Sequence, residues 1–304
     1  MREFLILGVL AVSTAGCSPL GMIADALSEQ GDVFSRDDDP ELVRDAIPFG
    51  LKTYESILDG VPDHRGLLRT TAAGFAQYAY AFVVLEADRL EGTDLERARE
   101  MRFRAKKLFL RGRDYALRGL EVEYPGITAA LRKDPDAALA ATTKDDAALL
   151  YWAGACWAGA LLSGKEDLSL VAELPIAGAL VSRVLQLDDT FGGGAAHEFM
   201  ISFEGSRSEA MGGSPARARE HYRRAMEISE GKRATVPLAL AESVAVRAQD
   251  LAEFRSLLET ALAVDPEADR SRRLVNILAQ RRALRLKTKT SDLFLNAEPE
   301  EVKK

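Results

Sequence analysis

Residues 215–229 read PARAREHYRRAMEIS, and residues 251–266 read LAEFRSLLETALAVDP. In both, small and apolar residues recur at spacings of three and four, the period of one helix face. Ala218, Tyr222 and Ala225 share such a face, and small residues beside an aromatic let paired helices approach closely. Period-two alternation rich in Val, Ile and Thr, which would announce strands, is almost absent from the chain.

The two stretches also finish alike. Ala225-Met-Glu-Ile-Ser229 and Ala261-Leu-Ala-Val-Asp-Pro266 begin 36 residues apart, and Val184-Leu-Gln-Leu-Asp-Asp189 closes an earlier helix in the same way. A period of about 34 residues with such a close belongs to tetratricopeptide helix pairs. Full repeat signatures are missing and the earlier helices are too long, so a consensus array is not expected. The expected fold is all-α: a TPR-like α-α superhelix of paired antiparallel helices, stacked into one continuous core around a concave face or hollow.

Working outward, helices are expected over 42–58, 64–90, 95–123, 127–140, 145–163, 168–187, 195–210, 235–248 and 270–286, beside the two quoted. Asp59-Gly60, Gly92-Thr93-Asp94, Tyr124-Pro125-Gly126, Gly192-Gly193-Gly194 and Gly212-Gly213 supply the breaks, with Thr93 or Asp94 a good N-cap. The 304 residues are 47% hydrophobic and 29% charged, which suits a packed core. A net charge of −7 argues against general nucleic-acid binding.

The first residues read as a targeting segment. Arg2 is basic, Phe4–Val12 is apolar, and Ser13-Thr14-Ala15-Gly16 leads to Cys17. This is a lipobox with a weak Thr14: residues 1–16 form a lipoprotein signal peptide, and Cys17 carries the acyl chains. Ser18 rather than Asp follows, which directs the protein to the outer membrane, facing the periplasm. Residues 17–40 are expected as a lipidated tether or a short first helix, 41–290 as the helical domain, and 291–304 as a flexible tail. With Cys17 lipidated, Cys156 has no disulfide partner.

Residues 151–165, YWAGACWAGALLSGK, invite sharper readings. Gly159 to Gly164-Lys165 approaches a phosphate loop, but Glu166 stands where Ser or Thr must hold the metal. The uncharged run 147–164 is at the short edge of a membrane span and rich in Ala and Gly, so a central buried helix is expected. His197-Glu198 begins a zinc-protease motif that Ile201 breaks. No metal spacing, no cofactor motif and no nucleophile with its base emerge, so no enzyme is expected. Trp152 and Trp157 are five apart, about 140° around a helix, so they face different ways. Trp152, Trp157, Arg183 and His197 are the candidates for lining a hollow, with Arg183 placed to meet a carboxylate. The run 270–289 is basic without an acid, expected as a solvated terminal helix or a contact for anionic lipid or an acidic partner face.

Several stretches in order resemble one family. They are Gly66-Leu67-Leu68 to Phe75-Ala-Gln-Tyr78-Ala79 and Ala81-Phe82-Val83, then Lys107 to Leu120, then Tyr151-Trp152-Ala-Gly154-Ala155-Cys156-Trp157-Ala158-Gly159-Ala160. Leu174-Pro175 to Arg183, Leu187-Asp188, Gly194-Ala-Ala-His197, Gly212-Gly213 to Ala225, and Arg273 to Gln280 complete the series. Over roughly 40–290 the chain resembles the T-components associated with TRAP transporters, the TatT family of periplasmic lipoproteins. The family often has Ser at the Cys156 position. The resemblance implies a non-enzymatic partner of a TRAP substrate-binding protein, holding or passing a small organic acid or hydrophobic ligand, and assembly into homo-oligomers. The alternative expectation is an envelope-assembly scaffold that binds only proteins or peptides.

Overall fold

The computed structural model describes residues 19–29 and 33–297. The expected signal peptide, Cys17 and residues 298–304 lie outside the described residues. Every regular element among the described residues is helical. The N-terminal part holds α1 (Pro19–Glu29), α2 (Pro40–Gly60), α3 (Arg65–Tyr78), a π turn over Ala79–Val84, α4 (Leu85–Leu90) and α5 (Leu95–Glu121). The centre holds α6 (Ile127–Leu131), α7 (Pro135–Leu139), α8 (Ala147–Leu162), α9 (Leu168–Ala172), α10 (Leu174–Leu187) and α11 (Phe191–Ser206). The rest is α12 (Pro215–Ile228), α13 (Thr235–Leu240), a second π turn over Ala241–Ala245, α14 (Val246–Ala248), α15 (Leu251–Leu262), α16 (Arg273–Thr288) and α17 (Thr290–Leu293).

The helix starts follow local chemistry. Asp39 accepts from the N–H groups of Glu41 and Leu42 with Pro40 next to it, Asp94 caps α5, Ser214 with Pro215 opens α12, and Asp250 caps α15. His64 does the same for α3: its Nδ1 accepts from Leu67 N–H at 3.0 Å. That leaves Nε2–H to donate to Asp25 of α1 at 2.9 Å. Gly192, Gly193 and Gly194 all have positive φ, so the regular part of α11 begins at Ala195.

Helices pack largely in chain order: α2 on α3, α3 on α5, α5 on α8, α8 on α10, α10 on α11, α11 on α12 and α13, then α13 on α15 and α15 on α16. This succession is consistent with the expected superhelix. The stretch 151–165 lies at its centre. A Cβ on Gly154 would stand 3.0 Å from the Ala177 carbonyl of α10, and one on Gly112 of α5 would stand 2.8 Å from Cys156 Sγ. The glycines therefore set the spacing of three helices, and no phosphate loop exists there. α8 is 16 residues long, and no helix among the described residues is long and apolar enough to cross a membrane.

The array also meets its own beginning. Leu274 of α16 joins the cluster of Val43, Phe75, Val83 and Phe109. Leu274 N–H donates to Ser35 O at 2.9 Å, Arg273 pairs with Asp38 and Arg281 with Glu41. The basic run expected as a solvated helix is thus largely spent inside the molecule. Both expected ends are tied down as well. Residues 19–29 are a helix packed on the body, and Phe294 is buried 4.8 Å from the Phe254 ring.

Candidate functional site

Two interruptions in the helical ladder direct the polar side chains. Leu85 N–H bonds Tyr80 O, and Val246 N–H bonds Ala241 O. Each bond spans five residues, so the helix widens and its register shifts, a change often found at functional sites. Tyr80 stands on the first π turn and Glu242 on the second. Arg282 of α16 donates to Glu242 through Nε at 2.8 Å and Nη2 at 2.7 Å, and to Asp88 of α4 through Nη1 at 2.8 Å. Asp88 also accepts from Arg102 of α5 at 2.8 Å. Burial alone would lower the pKa of Arg282; Tyr80, Glu242 and Asp88 reverse this and hold it above its ordinary value.

A second cluster lies at the start of α11 and α13. Glu198 accepts from Arg233 Nε at 3.0 Å and Nη2 at 2.7 Å, and from Thr235 Oγ1 at 2.7 Å. Arg233 Nη1 donates to Gly192 O at 3.1 Å, which uses the glycine turn as an acceptor. Tyr151 of α8 packs against Trp152 at 5.0 Å, edge to face, and against Phe191 at 5.1 Å.

The two clusters meet at Tyr80: Arg282, Glu242 and Asp88 of the first and Glu198 of the second all act on its hydroxyl. Tyr80 is 48% exposed, yet desolvation is the leading influence that raises its hydroxyl pKa. Glu198 raises Tyr80 and Tyr151 alike, so both tyrosines lie in the field of one carboxylate. Both hydroxyls stay neutral near pH 7 and remain donors. Tyr80 and Tyr151 therefore offer aromatic faces and neutral hydroxyls beside charges already neutralised in pairs. That combination suits binding of a molecule with an apolar body and polar ends. Cys156 is fully buried, and desolvation raises its thiol pKa. Among the described residues no group of three His, Cys, Asp or Glu side chains is placed to hold a metal ion.

The four residues singled out in the sequence do not share this site. Trp152 is half-buried beside Tyr151 and borders it. Trp157 is 0% exposed: its Nε1 donates to Glu173 at 2.9 Å, and Arg113 and Arg132 stand over its rings at 5.0 and 5.8 Å. Trp157 belongs to the core. Arg183 meets no carboxylate among the described residues. It donates to Thr142 Oγ1, Thr142 O, Ala140 O and Gln186 Oε1, fastening α10 to the segment after α7 beside a separate recess of about 240 Å³. His197 is buried, with Nδ1 2.8 Å from His221 Nδ1 and Nε2 3.0 Å from Asp189, which Arg224 also holds. Tyr80, Asp88, Arg233 and Glu242 carry no mark in the sequence; Glu198 stands there only in a broken zinc-protease motif and Arg282 only within the basic run. Nothing in a helical pattern marks a π turn, and long-range ion pairs leave no local signature.

A family model for the TRAP transporter T-component matches residues 36–294. The chain belongs to the TRAP transporter T-component family. It is thus an accessory component of a TRAP transport system and associated with the membrane. An uncharacterized protein of Treponema pallidum (strain Nichols) is similar to this T-component. The two are 30% identical over 268 residues, 87% of this chain and 83% of the relative. The family match starts just before α2 and ends at Phe294, so it takes in both ion-pair clusters and both tyrosines.

Proposed function

We propose that this T-component is anchored by acyl chains on Cys17, faces the periplasm from the outer membrane, and docks the substrate-binding protein of its transporter. Its recess between Tyr80, Tyr151 and Trp152 holds or passes that protein's small organic solute, and the chain catalyses no reaction. The observation that carries this reading is Tyr80, half exposed and yet desolvated. A desolvated aromatic surface loses little by covering, so an apolar solute body gains from entering. The ion pairs around it fix the walls rather than present a bare charge.

Co-purification of the membrane-extracted protein, followed by mass spectrometry of bound small molecules, tests this. The expected result is a substrate-binding protein together with a solute that Tyr80→Ala and Tyr151→Ala variants lose while keeping the protein partner. A solute retained by both variants removes the recess from the reading. Recovery of envelope-assembly proteins alone removes the transport role in favour of a scaffold.

A further inference from the structure

α1 is fastened to the body on one side only. Ala24 is fully buried with Leu58, Leu67 and Leu68, and Leu27 packs on the same cluster. Asp25 accepts from His64, and Ser28 O accepts from Arg69 at 3.3 Å. α1 is therefore not a free arm. Its other side carries Met22 at 55% and Ile23 at 49% exposure, with Ala26 exposed one turn further on. Pro19 opens this helix two residues after Cys17, and two residues span at most about 7 Å.

We propose that the Met22–Ile23 face of α1 lies in the lipid interface of the bilayer, beside the acyl chains on Cys17. The inference rests on lipidation of Cys17. Acyl chains in the hydrocarbon put residue 17 at the membrane surface. Met22 is three residues into the helix, about 5 Å along its axis, while an interfacial helix sinks its apolar side about 5–10 Å. The geometry leaves no room to carry this face far from the lipid. Burial there removes apolar surface from water without disturbing the packed side. The family match begins at residue 36, so α1 occupies the stretch between the anchor and the T-component domain.

One end of the molecule then faces the membrane. Arg118 donates to Pro62 O, and Arg65 donates to Gly119 O and Asp146. The α2–α3 turn, the end of α5 and the segment entering α8 thus share the end that α1 covers. A soluble partner meets the T-component on another side.

The test uses full-length lipidated protein in phosphatidylethanolamine–phosphatidylglycerol vesicles. Met22→Cys and Ile23→Cys variants carry a polarity-sensitive fluorophore, with Leu42→Cys of α2 (59% exposed in the native chain) as the comparison site. The buried Cys156 does not compete for label. The expected result is a blue-shifted emission at 22 and 23, quenched by nitroxide-labelled lipid, and unquenched emission at 42. Vesicle-bound protein with water-like emission at 22 and 23 overturns the proposal and leaves the anchor standing. A blue shift without lipid quenching overturns it too, because a protein then covers the face. Wild-type protein that fails to pellet with vesicles, or a Cys17→Ala chain that stays with cell membranes, overturns the anchor and this proposal together.

Discussion

Glu198 is the residue whose loss the second cluster tolerates least. It takes three hydrogen bonds, two of them from a largely buried guanidinium. Glu198→Ala strands Arg233 in a desolvated place, which is expected to lower stability by about 3 kcal/mol in urea titrations. Glu198→Gln keeps an acceptor for Thr235 and is expected to cost less. The His197–His221 pair makes a second prediction. Their Nδ1 atoms are 2.8 Å apart, so one must donate and the other accept, and double protonation breaks the contact. Desolvation, then the neighbouring His197, lowers His221 below its ordinary 6.5. The unfolded chain therefore binds this proton more readily. The stability it contributes is full above about pH 6.5 and declines as pH falls through and below that value. Thermal melts from about pH 7 down to about pH 5 should show Tm falling, and His221→Gln should flatten that slope. An unchanged slope would assign the acid sensitivity elsewhere.

At the scale of elements, the glycine turn and the central helix carry opposite kinds of constraint. Gly194 has φ +95°, and a Cβ there would stand 3.3 Å from the Ala225 carbonyl, which is backbone and cannot step aside. Gly194→Ala is expected to lower stability by about 1–2 kcal/mol from the left-handed conformation alone. The three glycines in a row announce a turn in the sequence, and the structure places it where the helical pattern restarts. Trp157 is constrained by packing. Trp157→Ala empties the middle of α8 and leaves Glu173 without its indole donor, an expected loss of about 3–5 kcal/mol measured by denaturation. The angle between Trp152 and Trp157 was legible from their spacing. Which of the two faced the core was not, because a helix apolar on every side gives no direction until its neighbours are in place.

For the whole molecule, the last helix clasps the first ones. Arg282 links α16 to α4 and to the second π turn, and Arg285 donates to Leu85 O at 3.0 Å. Arg282→Ala removes the shared cation from Asp88 and Glu242. Hydrogen exchange is expected to rise in α4, the second π turn and the C-terminal half of α16, while α8 and α10 stay protected. Uniform exchange across the chain would show that closure does not depend on this side chain.

The sequence by itself determined the all-α class, the starts of the long helices and the glycine turn, because caps, prolines and apolar period act within a few residues. Its motif series also pointed to the T-component family, which the match over residues 36–294 establishes. Only the tertiary structure decided that Trp157 is core, that Arg183 fastens the segment after α7 and His197 meets His221 of α12, and that the basic C-terminal run closes the array. It alone brought Tyr80, Tyr151, Glu198 and Arg282 into one electrostatic network. Those four come from positions up to 202 residues apart, as the numbers of Tyr80 and Arg282 show. Their meeting depends on helix stacking and on two changes of register, which no local pattern of residues encodes.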